Sequence, residues 1–138
     1  MNFQLEVVSI AGPVFTGEVV EVTLPGVSGE FTALAKHMAF VTPLTTGEVV
    51  LKLPDSKTNH FSIGKGVFAF QGGAGKLLIE DVSASDEISE ERALEAKKEA
   101  KELLAKGIAG EEKNMALYQL RKSLVDLKIV RRRKKTIV

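Results

Sequence analysis

Ser83-Ala84-Ser85-Asp86-Glu87-Ile88-Ser89-Glu90-Glu91-Arg92-Ala93 is the stretch at which the chain changes character. On its N-terminal side, Gly and Pro break the sequence into short segments, and all four prolines lie there. On its C-terminal side there is no proline, and Ala, Leu and charged residues recur at helical spacing. Proline and glycine punctuate strands and turns, whereas an uninterrupted 3.6-residue period marks helix. The expectation is therefore a β domain over residues 1–85, followed by a helical unit over residues 86–138.

Working back from this junction, Phe3, Leu5 and Val7 alternate with Gln4 and Glu6, so one face of a first strand is buried. Gly12-Pro13 reads as a turn, and Glu18 to Leu24 as a second strand closed by Pro25-Gly26. Glu48 to Leu53 is a third strand, ended by Pro54-Asp55-Ser56. His60 to Gln71 holds two strands around Gly64 and Gly66. Gly72-Gly73-Ala74-Gly75 is a hairpin loop, from which Lys76 to Val82 returns. Strands at this spacing argue for an antiparallel sandwich or barrel. No stretch of helical crossover length lies between them, so a parallel sheet is not expected.

Working forward, Ser89 is placed to cap a helix, with Glu90 and Glu91 in the first turn where the helix dipole favours them. Ala93, Ala96, Ala100, Leu103 and Leu104 form its apolar side, and their small size permits close helix–helix approach. Gly107 and Gly110 bracket a short connection. A second helix is expected from about Glu111, with Leu117, Leu120, Leu124 and Leu127 as a heptad-like stripe. So short a link makes the helices an antiparallel hairpin. Two helices cannot bury both apolar faces on each other, so the hairpin needs a third surface, either the β domain or another protein. The alanine-rich side offers little apolar area, so the grip is modest and compatible with release and rebinding. A permanently packed hairpin is the plainer alternative.

Composition narrows the function. The 138 residues include no Cys and only two His, His37 and His60, which excludes disulfides, thiolate metal sites and a Cys nucleophile and gives no metal cluster. No apolar run approaches the ~18 residues of a membrane span. Met1 to Glu6 lacks the basic start and apolar run of a signal peptide, so a cytoplasm-like compartment is expected. Residues 1–85 carry five Lys/Arg against eight Asp/Glu, a net of −3, while residues 86–138 carry fourteen against ten, a net of +4. The basic excess ends in Arg131-Arg132-Arg133-Lys134-Lys135, which suits an anionic partner or a solvated helix end.

Gly64-Lys65-Gly66 and Gly72-Gly73-Ala74-Gly75 are turns, since a phosphate loop continues into Lys-Ser/Thr and a helix, and here strand follows both. There is no Gly-x-Ser-x-Gly nucleophile elbow, and nothing positions either His as a base, so no catalysis is expected. A small nucleic-acid-binding β protein with a basic tail is the alternative from another class. The acidic β half and the absence of an exposed aromatic pattern speak against it.

Several stretches together resemble the epsilon subunit of F-type ATP synthases. They are Leu5-Glu6-Val7-Val8-Ser9 with Val14-Phe15-Thr16-Gly17-Glu18-Val19, then Val22-Thr23-Leu24-Pro25-Gly26-Val27-Ser28-Gly29-Glu30-Phe31. His37 lies seven residues after Glu30, and Leu44, Gly47, Glu48 and Val49 fit a Leu-x-x-Gly-x-Val pattern. Gly72-Gly73 and Ile88-Ser89-Glu90-Glu91-Arg92-Ala93, which resembles Ile-Asp-x-x-Arg-Ala, complete a likeness running nearly end to end.

The resemblance implies a ten-stranded β-sandwich followed by a C-terminal helical hairpin, in a non-catalytic central-stalk subunit. It implies docking on the gamma subunit and the c-ring, with Glu30 and His37 at the ring. It also implies coupling of ring rotation to the catalytic head, peripherally at the cytoplasmic face of the cell membrane. It gives the hairpin an extended form that inhibits ATP hydrolysis, with Arg121, Lys122, Arg131, Arg132, Arg133, Lys134 and Lys135 facing the alpha and beta subunits. No nucleic acid is expected as a partner. Some relatives bind ATP through Ile-Asp-x-x-Arg-Ala and downstream arginines. Ile88, Arg92 and Ala93 are retained here, but Ser89 replaces the Asp and Glu99 brings a carboxylate, so ATP binding is expected to be weak or absent. The loop Thr32-Ala33-Leu34-Ala35-Lys36-His37-Met38-Ala39 also lacks the family's Pro-Gly pair and adds Lys36.

Overall fold

A computed structural model describes residues 1–137, with side chains through Arg132. Ten strands come first: β1 (Phe3–Ser9), β2 (Gly12–Val19), β3 (Glu21–Gly26), β4 (Gly29–Leu34), β5 (Phe40–Leu44), β6 (Gly47–Lys52), β7 (Thr58–Ile63), β8 (Gly66–Gln71), β9 (Ala74–Ile79) and β10 (Val82–Ala84). A 3-10 turn at Ser85–Glu87 leads to α1 (Glu90–Ala105) and α2 (Gly110–Ile137).

The strands run in the order β10-β7-β6-β3-β5-β8-β9-β1-β2, with β4 paired to β3. One apolar core unites side chains from both ends of this path, including Leu5 and Val7 of β1, Phe68 of β8, Leu77 of β9, Val22 and Leu24 of β3, and Leu51 of β6. The sheet therefore doubles over at β3 and closes on itself as a sandwich. Alternation sets the buried set, as expected: Phe3, Leu5 and Val7 are buried, and Gln4 is exposed.

Several details differ from the sequence reading, among them Ala74 and Gly75, which belong to β9 rather than to the hairpin loop, and Lys76 to Val82, which is broken between β9 and β10. Glu18 to Leu24 is not one strand. The chain crosses between the two halves of the sandwich at Val20, whose N–H donates to the Lys52 carbonyl at 2.7 Å. The buried residues slip phase there, from Val19 to Val22 and Leu24. Gly12-Pro13 is not the turn either: Ile10 and Ala11 form it, and Pro13 lies on terminal strand β2, where an absent N–H costs no ladder bond. Finally, β1 pairs β9 in parallel, Gln4 with Ala74 through Ser9 with Ile79. The crossover that a parallel pair needs is supplied by the intervening strands rather than by a helix, so the antiparallel sandwich carries one parallel seam. Gly72 and Gly73 form the β8–β9 turn with φ of +58° and +76°, the left-handed pair of a two-residue hairpin.

The helical half follows its local signals. The Ser89 side chain accepts the Arg92 N–H at 3.3 Å, capping α1. Gly107 (φ +74°) ends it, its N–H donating to the Leu104 carbonyl at 3.2 Å. Ala93, Ala100 and Ala116 are buried where α1 and α2 cross. The expected leucine stripe is only half right: Leu127 is buried, but Leu117 and Leu124 are exposed. The packed line is Ala116, Leu120, Ser123, Leu127 and Val130, alternating steps of four and three. Alanine and serine let the helices approach, so the leucines displaced from this line face solvent.

Candidate functional site

Two surfaces stand out, one on the sandwich and one beneath the hairpin. The first runs across the outer face of the β5-β8-β9-β1-β2 half. Register aligns Pro43 with Val67, Val67 with Leu78, Leu78 with Val8, and Val8 with Pro13. Paired residues share a face, so five neighbouring strands present one apolar row. Val67 is 40% exposed and Leu78 47%, and Val41 on β5 adds to the patch at 72%. Apolar rows of this length on a solvent face mark protein contact surfaces. The sequence carried a signal for it. Val67-Phe68-Ala69-Phe70 and Leu77-Leu78-Ile79 are apolar on both strand faces, one more face than a half-buried strand requires.

The second surface is the seat of α2, which packs on β6 and β7. The Tyr118 hydroxyl donates to Asp81 Oδ2 at 3.0 Å. Gly64 leaves room for this pin, since a Cβ there would lie 2.5 Å from the Tyr118 oxygen. Burial, then the hydrogen bond to Asp81 and its charge, push the Tyr118 phenol well above its ordinary value. Lys122 Nζ donates to Ser83 Oγ at 3.5 Å and to Asp126 Oδ1 at 3.2 Å. Arg132 donates to Glu48 Oε2, and His60 Nδ1 lies 3.2 Å from the same oxygen. Ile88, Ile129 and Val130, with Val125 against them, form a small apolar cluster that lies wholly within residues 86–138.

Beside the seat, a groove of about 1200 Å³ opens between α1, α2 and the β9–β10 corner. Ile88, Arg92 and Ala93, the residues of the Ile-Asp-x-x-Arg-Ala-like stretch, all line it, as does Lys122. Ile88 and Ala93 are buried, and Arg92 is exposed. The walls carry six carboxylates, among them Glu80, Asp81 and Asp126, against the three cations Lys65, Arg92 and Lys122.

The other expected site residues are dispersed. Glu30 lies exposed at the start of β4 and His37 exposed just beyond its end, so the strand separates them. The His37 Nδ1–H donates to the Met38 carbonyl at 2.8 Å, and its ring packs 4.4 Å from that of Phe40. Arg121 and Arg131 are exposed, whereas Lys122 and Arg132 hold the β portion. Arg133, Lys134 and Lys135 lie outside the residues whose side chains are described. Sequence reasoning missed Glu48, His60, Asp81 and Tyr118, whose partners are far away along the chain. Among the described residues, no group of three or more His, Asp or Glu could hold a metal ion, and no helix is long and apolar enough to cross a membrane.

In construction, this is a β-sandwich with an apolar outer row, carrying a helical hairpin on a polar seat. The family model described as the ATP synthase Delta/Epsilon chain, beta-sandwich domain, matches residues 2–84. The "ATP synthase epsilon chain" of Geotalea uraniireducens is 34% identical over 118 residues, 86% of this chain and 84% of that protein. The protein of the same name from Citrifermentans bemidjiense is 32% identical over 130 residues, 93% of each. Among solved structures, the Euglena gracilis mitochondrial ATP synthase (OSCP/F1/c-ring) contains a chain that superposes with a TM-score of 0.81 at 18% identity, covering 92% of this chain and 79% of that one. The central stalk/c-ring of the Tetrahymena thermophila enzyme gives 0.53 at 10% identity, covering 62% and 68%. The chain belongs to the epsilon-chain family of ATP synthases. By that family it is a subunit of an ATP synthase complex.

Proposed function

We propose that the chain is a rotor subunit that couples c-ring rotation to the catalytic head through the gamma subunit, and that its hairpin inhibits ATP hydrolysis when it leaves the sandwich. The observation that carries the docking role is the five-strand apolar row from Pro43 to Pro13. It supports a broad contact with a folded partner, the gamma subunit. The segment from Glu30 to His37, on β4 and its exit, is assigned to the c-ring side at the cytoplasmic face of the membrane. Residues 1–85 act as the docking domain and 86–138 as the arm. The sandwich has its own core, and polar contacts of Tyr118, Lys122 and Arg132 hold the hairpin to it, while the small apolar cluster of Ile88, Ile129 and Val130 lies within the hairpin half itself. Such an attachment suits an arm that exchanges between two positions. Once released, Arg121, Lys122, Arg131 and Arg132 are available to acidic segments of the alpha and beta subunits.

The test is ATP hydrolysis by a synthase core stripped of this subunit, titrated with the full chain and with a chain ending at Ser85. Inhibition by the full chain alone supports the inhibitory arm. Equal effects of both assign the hairpin a structural role, and failure of either folded chain to bind overturns the docking reading. For ATP itself, the carboxylate excess in the groove disfavours a polyphosphate. Calorimetry at millimolar ATP is expected to give no binding heat.

A further inference from the structure

The floor beneath α2 is polar where a permanent interface would be apolar. Glu48 of β6 pairs with Ser62 of β7, and Ser62 pairs with Ser83 of β10. Residues paired in this way share a face, so the three form one row across three strands. α2 holds both ends of the row, Arg132 reaching Glu48 and Lys122 reaching Ser83. Between those two cations the same side of α2 carries Val125 and Ile129, at helical spacing from both. Neither side chain can donate or accept a hydrogen bond. Ser62 is fully buried, and its hydroxyl has no hydrogen-bond partner among the described residues.

A buried hydroxyl without a partner disfavours the state that buries it, and water satisfies it once the cover is removed. α2 packs on β7, so lifting it away opens the face of the strand that carries Ser62. Glu48 and Ser83 exchange water for Arg132 and Lys122 on docking, so their balance is closer to even.

We propose that Ser62 is a built-in destabiliser of the docked hairpin, weakening the middle of a seat whose ends are pinned, so that α2 remains releasable. This rests on the reading of the hairpin as a movable arm, and it adds the residue that sets the balance.

The experiment uses the full chain. Hydrogen exchange is followed by mass spectrometry on peptides from α2 and from β1 and β8. Because the chain has no cysteine, spin labels at Leu117→Cys and Lys52→Cys report the α2–sandwich distance in parallel. Ser62→Ala is expected to slow exchange in α2 roughly tenfold, to leave β1 and β8 unchanged, and to enlarge the short-distance population. Glu48→Gln, which weakens one pinned end, is expected to act in the opposite direction. Unchanged or faster α2 exchange in Ser62→Ala overturns the proposal, because the hydroxyl then costs nothing or is satisfied. Hydrolysis by the synthase core is read separately. A Ser62→Ala chain that docks more tightly yet inhibits as before removes the inhibitory arm and leaves Ser62's role standing.

Discussion

Gly64 is small because Tyr118 uses the space above it. A methyl group at this position would meet the phenol oxygen at 2.5 Å and the Asp81 Cβ at 3.3 Å. The flexible end of Tyr118 can retreat, but only by giving up its bond to Asp81. Gly64→Ala is therefore expected to leave the sandwich folded while speeding amide exchange in α2 about threefold to tenfold, the loss of roughly one hydrogen bond. The same pin makes docking sensitive to alkali. The Tyr118 pKa is raised on docking, so the docked state holds the phenol proton more tightly. Its contribution is complete below the ordinary phenol value of about 10 and is lost as pH rises above that value. Raising the pH beyond 10 should release α2, monitored by the spin-label distance, and Tyr118→Phe should abolish the effect between pH 10 and 11.

At the scale of elements, α2 has two faces: one packs on α1 through Ala116, Ser123 and Leu127, and the other sits on the sandwich through Tyr118, Lys122 and Arg132. Leu127 is the largest buried side chain of the first face. Leu127→Ala should cost the hairpin about 2–5 kcal/mol. This is read as helical circular dichroism lost at lower urea than the β signal. The two faces also explain what the sequence conveyed. Helical period, the Ser89 cap and the Gly107 stop are local, and all three were legible. The choice among several possible apolar stripes was not. Leucine is the more apolar residue, but close helix approach selected alanine and serine, and a pattern of hydrophobicity cannot rank closeness above area. The strands behaved similarly. Phe3, Leu5 and Val7 announced their buried face, whereas the crossing at Val20 appeared only as a phase slip within an otherwise plausible strand. The seat was illegible for a different reason. Glu48, His60, Asp81 and Tyr118 become partners only through strand pairing and helix docking, and no local spacing encodes that. Ile88, Arg92 and Ala93 could be placed in advance because they belong to one continuous stretch.

For the whole molecule, the apolar row and the seat lie on different parts of the sandwich, one on the β5-β8-β9-β1-β2 half and the other on β6, β7 and β10. On the proposed reading, substitutions therefore separate binding to a synthase core from docking of the arm. Val67→Lys and Leu78→Lys change half-exposed side chains, so the chain's own urea midpoint should move little. Binding to a synthase core lacking this subunit should weaken about tenfold or more for each. A Lys52→Glu control, exposed on β6, should leave that affinity unchanged.

The parallel seam between β1 and β9 also has a consequence for biosynthesis. Gln4 must wait for Ala74, so the β1–β2 ribbon leaves the ribosome long before its inner neighbour exists. At about 5–20 residues per second, that wait lasts on the order of seconds. During it, Phe3, Leu5 and Val7 have nothing to pack against except the strands already made, and a holdase has its best opportunity to bind. Once Ile79 arrives the sandwich can close, β10 follows within a few residues, and α2 is translated onto a seat that is already built.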